Sequence, residues 1–207
     1  MADLLSSWNR AWSRLSALGS GEHAYLELVR RYSELHRHYH TMQHLEECLL
    51  AFERAQQFAE HPAEVEMALW FHDAIYDVKR SDNEEQSAKL AGAVLSGHGV
   101  PAAVVERVKS LVLITRHSVL PATQDEKVLV DIDLSILASE EVRFDEYERQ
   151  IRLEYGFVPG WLFKRKRKAI LRSFLARPSI YSVPELAAKW EGKARANLAR
   201  VVGENAV

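Results

Sequence analysis

ALWFHDAIY, residues 68 to 76, sets a histidine and an aspartate inside an otherwise apolar run. At helical spacing the neighbours of His72 are Ala68, Leu69, Ile75 and Tyr76; those of Asp73 are Leu69, Trp70, Tyr76 and Asp77. An ionised carboxylate buried there must have a partner, whether a basic side chain, helix-end amides or a cation. A satisfied core His–Asp pair is the structural alternative. The run also decides the fold class. Its apolar residues recur with helical period, as they do in almost every other segment, and no alternating strand pattern occurs. The expected fold is all-α.

Working outward, the breakers divide the chain into ten helices. Gly19, Ser20 and Gly21 end a first helix from about Asp3 to Leu18. The next are expected from about Glu22 to Leu35, Thr41 to Ala59, and Pro62, a favourable first helical residue, to Tyr76. A fifth ends near His98 and Gly99, and a sixth runs from Pro101 to His117. The remainder span Gln124 to Ala138, Val142 to Tyr155, Gly160 to Leu175 and Pro184 to Val202. The 207 residues suit a single domain, with a core over about 22–140 and a C-terminal helical extension over about 141–207.

KVLVDIDLSILA, residues 127 to 138, repeats the anomaly. Asp133 is flanked by Leu129, Val130, Ile136 and Leu137, whereas Asp131 has Lys127 one turn away. Asp133 is therefore the buried carboxylate to explain, and Asp131 is expected nearer the surface. A third cluster lies in LHRHYHTMQHLEECL, residues 35 to 49, with His36, His38, His40 and His44. His44 shares a stripe of small side chains with Thr41, Cys48, Ala51 and Ala55, where another helix can approach. His40 is expected beside the site, and His36 and His38 in a solvated loop. Two imidazoles and two carboxylates from three helices suit a first-row divalent cation with water completing its shell.

Composition limits the other classes. The net charge of −2 gives no general electrostatic reason to bind nucleic acid or an anionic membrane. Lys164 to Lys168, KRKRK, is short and reads as a solvated helix face, with Arg167 as a remote candidate to reach the site. A single cysteine, Cys48, excludes an internal disulfide. The N-terminal MADLLSSWNRAW has no apolar signal core, and no apolar run approaches the ~20 residues that span a bilayer. A cytoplasmic protein without a membrane span is expected. Trp8 and Trp12 fit either a homodimer surface or core packing.

The order His44, then His72 with Asp73, then Asp133 resembles the H…HD…D signature of the HD superfamily of metal-dependent phosphohydrolases. WFHDAIYD resembles that family's central helix, and HSVLPATQDEKVLVDIDLSILA the segment ending in its last aspartate. YHTMQHL, WFHDAIYD, DNEEQSA and EGKARANL together resemble a bacterial group of predicted HD phosphohydrolases over most of the chain. The resemblance implies a helical bundle in which His44, His72, Asp73 and Asp133 hold one divalent metal; Mn, Mg, Fe, Ni, Co and Zn are not distinguished. The implied reaction is attack of an activated water on a phosphate ester or anhydride of a small molecule, such as a nucleotide.

Several relatives carry a glutamate three residues after the HD aspartate; Tyr76 stands there, followed by Asp77. The candidates for proton transfer are Asp77, Glu84 and His117. Glu84 also completes a capping-box pattern with Ser81, and His117 is equally a helix cap. Lys79 and Arg80 are either phosphate ligands at the pocket mouth or solvated loop residues. The rivals are a non-catalytic metal- and nucleotide-binding module and a di-iron HD oxygenase, which would need both His98 and His117 as ligands.

Overall fold

The computed structural model describes residues 4–203. Among them every regular element is helical: α1 (Leu4–Arg14), α2 (Glu22–Tyr32), α3 (Met42–Glu53), α4 (Pro62–Phe71), α5 (Asn83–Gly97), α6 (Ala102–Ile114), α7 (Gln124–Asp133), α8 (Glu141–Glu154), α9 (Gly160–Leu175) and α10 (Pro184–Val202). Short 3-10 turns follow α3 and α7, at Gln56–Phe58 and Leu134–Ala138. None of these helices is long and apolar enough to cross a membrane. The chain divides into two units, Met1–Asp133 and Leu134–Val207. The expected start of the first helix, at Asp3, lies outside the described residues.

The sequence of α4, PAEVEMALWF, accounts for the centre of the first unit. Pro62 fits the first helical position, and Ala, Glu, Met and Leu are strong helix formers. Apolar side chains lie on all its sides, so it must be enclosed. Every residue from Glu64 to Phe71 is buried, and α1, α3, α5, α6 and α7 pack around the helix. Trp70 meets Trp8 edge-on at 5.4 Å, and Trp8 stacks on Trp12 at 5.1 Å. Both α1 tryptophans are thus core residues, 0% and 3% exposed, and mark no dimer surface. Two glutamates enter this core with partners. Glu64 forms a two-pronged pair with Arg107 at 2.6 and 2.7 Å, and Glu66 accepts from Arg10 at 2.5 Å and Ser7 at 2.8 Å.

Six helices end at least three residues before their expected limits: α1 at Arg14, α2 at Tyr32, α3 at Glu53, α4 at Phe71, α6 at Ile114 and α7 at Asp133. α3 stops at Glu53 because Arg54 and Ala55 donate to carbonyls three residues back, and the Gln56 and Gln57 amides take the Glu53 and Arg54 carbonyls. α7 gives way to its 3-10 turn at Leu134, whose carbonyl is taken by the Tyr181 hydroxyl; Asn197 takes those of Leu137 and Ser139. α4 ends at Phe71, so His72 and Asp73 stand on the turn after the helix rather than within it.

In the second unit α9 and α10 have the expected bounds. Arg167 is bound to Glu148 of α8 at 2.5 Å and lies over the Tyr147 ring, so its guanidinium is occupied there. Lys164, Arg165 and Lys166 are exposed, as a solvated face requires.

Leu69→Ala should cost about 2–5 kcal/mol of stability by urea denaturation, because its side chain is 0% exposed. Leu35→Ala, at a residue 98% exposed beyond the end of α2, should change it by less than about 0.5 kcal/mol.

Candidate metal centre

Three elements of the first unit bring the sequence-predicted ligands together. Thr41 caps α3 by accepting from the Gln43 N–H at 3.3 Å, which fixes the start of the helix that carries His44. The turn after α4 carries His72 and Asp73, and the last residue of α7 is Asp133. His44 Nε2 lies 3.1 Å from His72 Nε2, 3.5 Å from Asp73 Oδ2 and 3.3 Å from Asp133 Oδ1. His72 Nε2 lies 3.0 Å from Asp73 Oδ2 and 3.6 Å from Asp133 Oδ1. Donors bound to one cation at about 2.1 Å stand about 3.0–3.4 Å apart in octahedral or tetrahedral geometry. The spacing is close to that of donors around a metal ion, and the cluster could hold one.

The surroundings favour the same use. His72 Nδ1 donates to the Leu69 carbonyl at 2.7 Å, which turns Nε2 toward the cluster. The imidazoles are 3% and 1% exposed, the Asp73 and Asp133 side chains 18% and 13%. Protein thus closes one side of the cluster, and the carboxylate side reaches solvent.

Cys48 also stands within 4.8 Å of the His44, His72 and Asp133 donors. Its Sγ lies 3.7 and 3.8 Å from the two His44 ring nitrogens, so a thiol, two imidazoles and the Asp133 carboxylate form one buried group that could hold a metal, with the Asp73 carboxylate against both imidazoles. A second group, Glu60, His61 and Asp125, has a structural occupation. Asp125 accepts from the Glu60 and His61 N–H groups and pairs with the His61 ring, tying the start of α4 to α7.

His117 joins the main cluster. It follows α6 in the left-handed region (φ 54°), a conformation histidine tolerates better than most residues. Its Nε2 lies 3.0 Å from Asp133 Oδ2, the oxygen not facing the other imidazoles, and its side chain is 25% exposed. His98 does not join. Its Nδ1 meets the Val94 carbonyl and its ring packs on Trp12 at 4.8 Å, about 16 Å of helix beyond Ser87, which holds Ile75 near the HD turn.

Asp77 is tied into its own loop: its Oδ1 accepts from the Lys79 N–H at 2.9 Å and its carbonyl from Asn83 at 2.9 Å. Glu84 is half-buried in the first turn of α5, with no hydrogen bond or ion pair among the described residues. The capping box expected with Ser81 does not form, because Asp82 is the N-cap and caps no N–H with its side chain. Arg80 pairs with that exposed Asp82 at 2.7 Å, the solvated-loop alternative. His40 stacks on Tyr76 at 4.1 Å, while exposed His36 binds the Tyr76 carbonyl. Asp131, expected nearer the surface than Asp133, is fully buried.

Sequence reasoning passed over Arg37 and Tyr32. Arg37 donates to the carbonyls of Asp73 (2.6 Å), Ala74 (3.1 Å) and His40 (3.2 Å). The Tyr32 hydroxyl accepts from the Asp73 N–H and donates to the Trp70 carbonyl, each at 3.3 Å. Burial pushes this phenol up to about 12, so it keeps its donor proton. The only sequence signal was an arginine and a tyrosine close ahead of a histidine-bearing helix.

No protein-family model matches the chain, nor does any curated protein or solved structure.

Electrostatics couples the cluster to pH. Burial disfavours charge on His44 and His72, but Cys48 and Tyr39 beside His44, Asp73 and Tyr32 beside His72, and hydrogen bonds to both carboxylates carry the two imidazoles well above the usual histidine range. Burial opposes ionisation of Asp73 and Asp133 as well. The surrounding histidines outweigh it and hold both carboxylates well below their usual values. In the metal-free protein a cation must displace protons from imidazoles whose pKa is raised. Divalent-metal affinity should therefore weaken as pH falls through that raised value, beginning above the ordinary histidine pKa of about 6.5, as measured by metal titration from pH 9 to pH 6.

Metal content supplies a second check. Wild type should hold about one divalent ion per chain, and His72→Ala, Asp73→Ala and Asp133→Ala should lose it.

Proposed function

We propose that this chain is a cytoplasmic, divalent-metal-dependent phosphohydrolase of the HD superfamily, acting on a small phosphorylated molecule such as a nucleotide. The observation that carries the reading is that His44 and His72, 3.1 Å apart, each meet both Asp73 and Asp133 at 3.0–3.6 Å, with the carboxylates on the solvent side. An ion bound there supplies Lewis acidity toward a phosphoryl oxygen and a hydroxide nucleophile at neutral pH. The four side chains would hold it, with the His72 tautomer set by the Leu69 carbonyl. His117 orients Asp133 through its second oxygen and has an exposed edge from which to protonate a leaving oxygen. Asp77 is less suited to that task, because its carboxylate holds the Lys79 backbone.

Two rivals fare differently. A di-iron oxygenase loses support, since His98 is held against Trp12 and only His117 is added to the cluster. A metal- and nucleotide-binding module without turnover draws on the loop engagement of Asp77 and the unpaired state of Glu84.

The test is phosphate release from a panel of nucleotides and simple phosphate esters, with the metal-stripped protein reloaded with manganese, cobalt, nickel or iron. Turnover should require the metal and fall at least about 10³-fold in Asp73→Ala, the size expected when several kcal/mol of transition-state stabilisation is removed. His117→Ala should lower it about 10²-fold while leaving the metal bound. Phosphate release that survives Asp73→Ala would sink the proposal. Ligand-induced thermal stabilisation with no product would favour the binding module.

A further inference from the structure

Arg37 lies in the histidine-rich stretch between α2 and α3, yet its side chain is 0% exposed. Its Nε donates to Glu34 at 3.1 Å, its Nη1 to the carbonyls of Asp73 and His40, and its Nη2 to that of Ala74. The rings of Tyr32 and Tyr76 flank it, at 5.3 and 5.5 Å from the guanidinium carbon. The three carbonyls belong to the two segments that deliver metal-site side chains. Asp73 and Ala74 form the turn after α4; His40 immediately precedes Thr41, the cap of the helix that carries His44. Among the described residues its hydrogen bonds go to Glu34 and to backbone carbonyls, not to the side chains of the cluster. It fixes the backbone from which His44 and Asp73 project.

We propose that Arg37 is a positioning residue that sets the geometry of the metal site by clamping the HD turn to the segment leading into α3. The proposal rests on the metal-binding reading of the cluster. Lysine cannot do this work. The guanidinium is a planar fork whose donors reach several carbonyls at once while its carbon sits over two rings, whereas an ammonium is a point charge on a flexible stem. Groups that orient metal ligands typically change metal affinity 10–100-fold when altered.

The experiment is a cobalt(II) titration of the full-length metal-stripped chain, followed by visible absorption, which reports both affinity and coordination geometry. Wild type, Arg37→Ala, Arg37→Lys and Arg167→Lys are compared. Arg167 serves as the control because it is paired in the second unit, with Glu148. Arg37→Lys should bind cobalt about 10–100-fold more weakly with an altered spectrum, and Arg167→Lys should match wild type. An Arg37→Lys protein with wild-type affinity and spectrum overturns the clamp and leaves the metal reading intact. Absence of cobalt binding in wild type overturns the metal reading, and the clamp with it. Should neither Arg37 variant fold, the wild-type Arg37 guanidinium resonance, followed by NMR during zinc addition, decides: it should shift on binding, and an unmoved signal overturns the clamp.

Discussion

The carbonyl groups at the C-terminal end of α4 are the constraint on which the first unit depends. A helix apolar on every side can be enclosed by five others, but its last carbonyls then lie away from bulk water and still need donors. Tyr32 supplies one hydroxyl proton, to the Trp70 carbonyl, and Arg37 supplies N–H groups to the Asp73 and Ala74 carbonyls just beyond. Because these donors come from outside the helix, the chain can leave its helical path at His72. That departure turns His72 and Asp73 together toward His44 and Asp133.

Once assembled, the cluster is an electrostatic compromise. Two buried imidazoles and two carboxylates cannot be neutral, separate and enclosed at once. Burial works against charge on each of them, and their proximity works the other way. In the metal-free protein their proximity favours the protonated form of the imidazoles and the ionised form of the carboxylates. A divalent ion held there would need the imidazoles without those protons, and the same carboxylates would balance its charge. His117 attaches to the outer oxygen of Asp133, so the last aspartate is shared between the buried imidazoles and the more exposed His117.

Much of this was legible in the sequence because it depends on polarity and local spacing. Asp73 and Asp133 stood out as carboxylates among apolar residues, His44 lay on a face of small side chains, and the α9 and α10 bounds followed from Pro, Gly and apolar period. Other readings failed for a common reason. Asp131 looked more exposed than Asp133 because a helical neighbour test registers Lys127 and not the helices that cover it. Trp8 and Trp12 fitted a surface or a core equally until α4 was packed against them. Arg37 looked like one more polar residue in a loop of histidines, since backbone carbonyls are the same in every sequence and leave no trace of which side chain they will hold.

The sequence by itself determined that the chain is helical, where most of its helices begin, and which ionisable groups are too apolar in setting to lack a partner. These are consequences of short-range spacing and of the cost of burying charge. Only the tertiary structure decided that α4 stops at Phe71, that His117 reaches Asp133 while His98 is held by Trp12, and that Cys48 joins His44, His72 and Asp133 in one cluster. Each of those depends on groups far apart in the chain, whose meeting is fixed by the packing of whole helices.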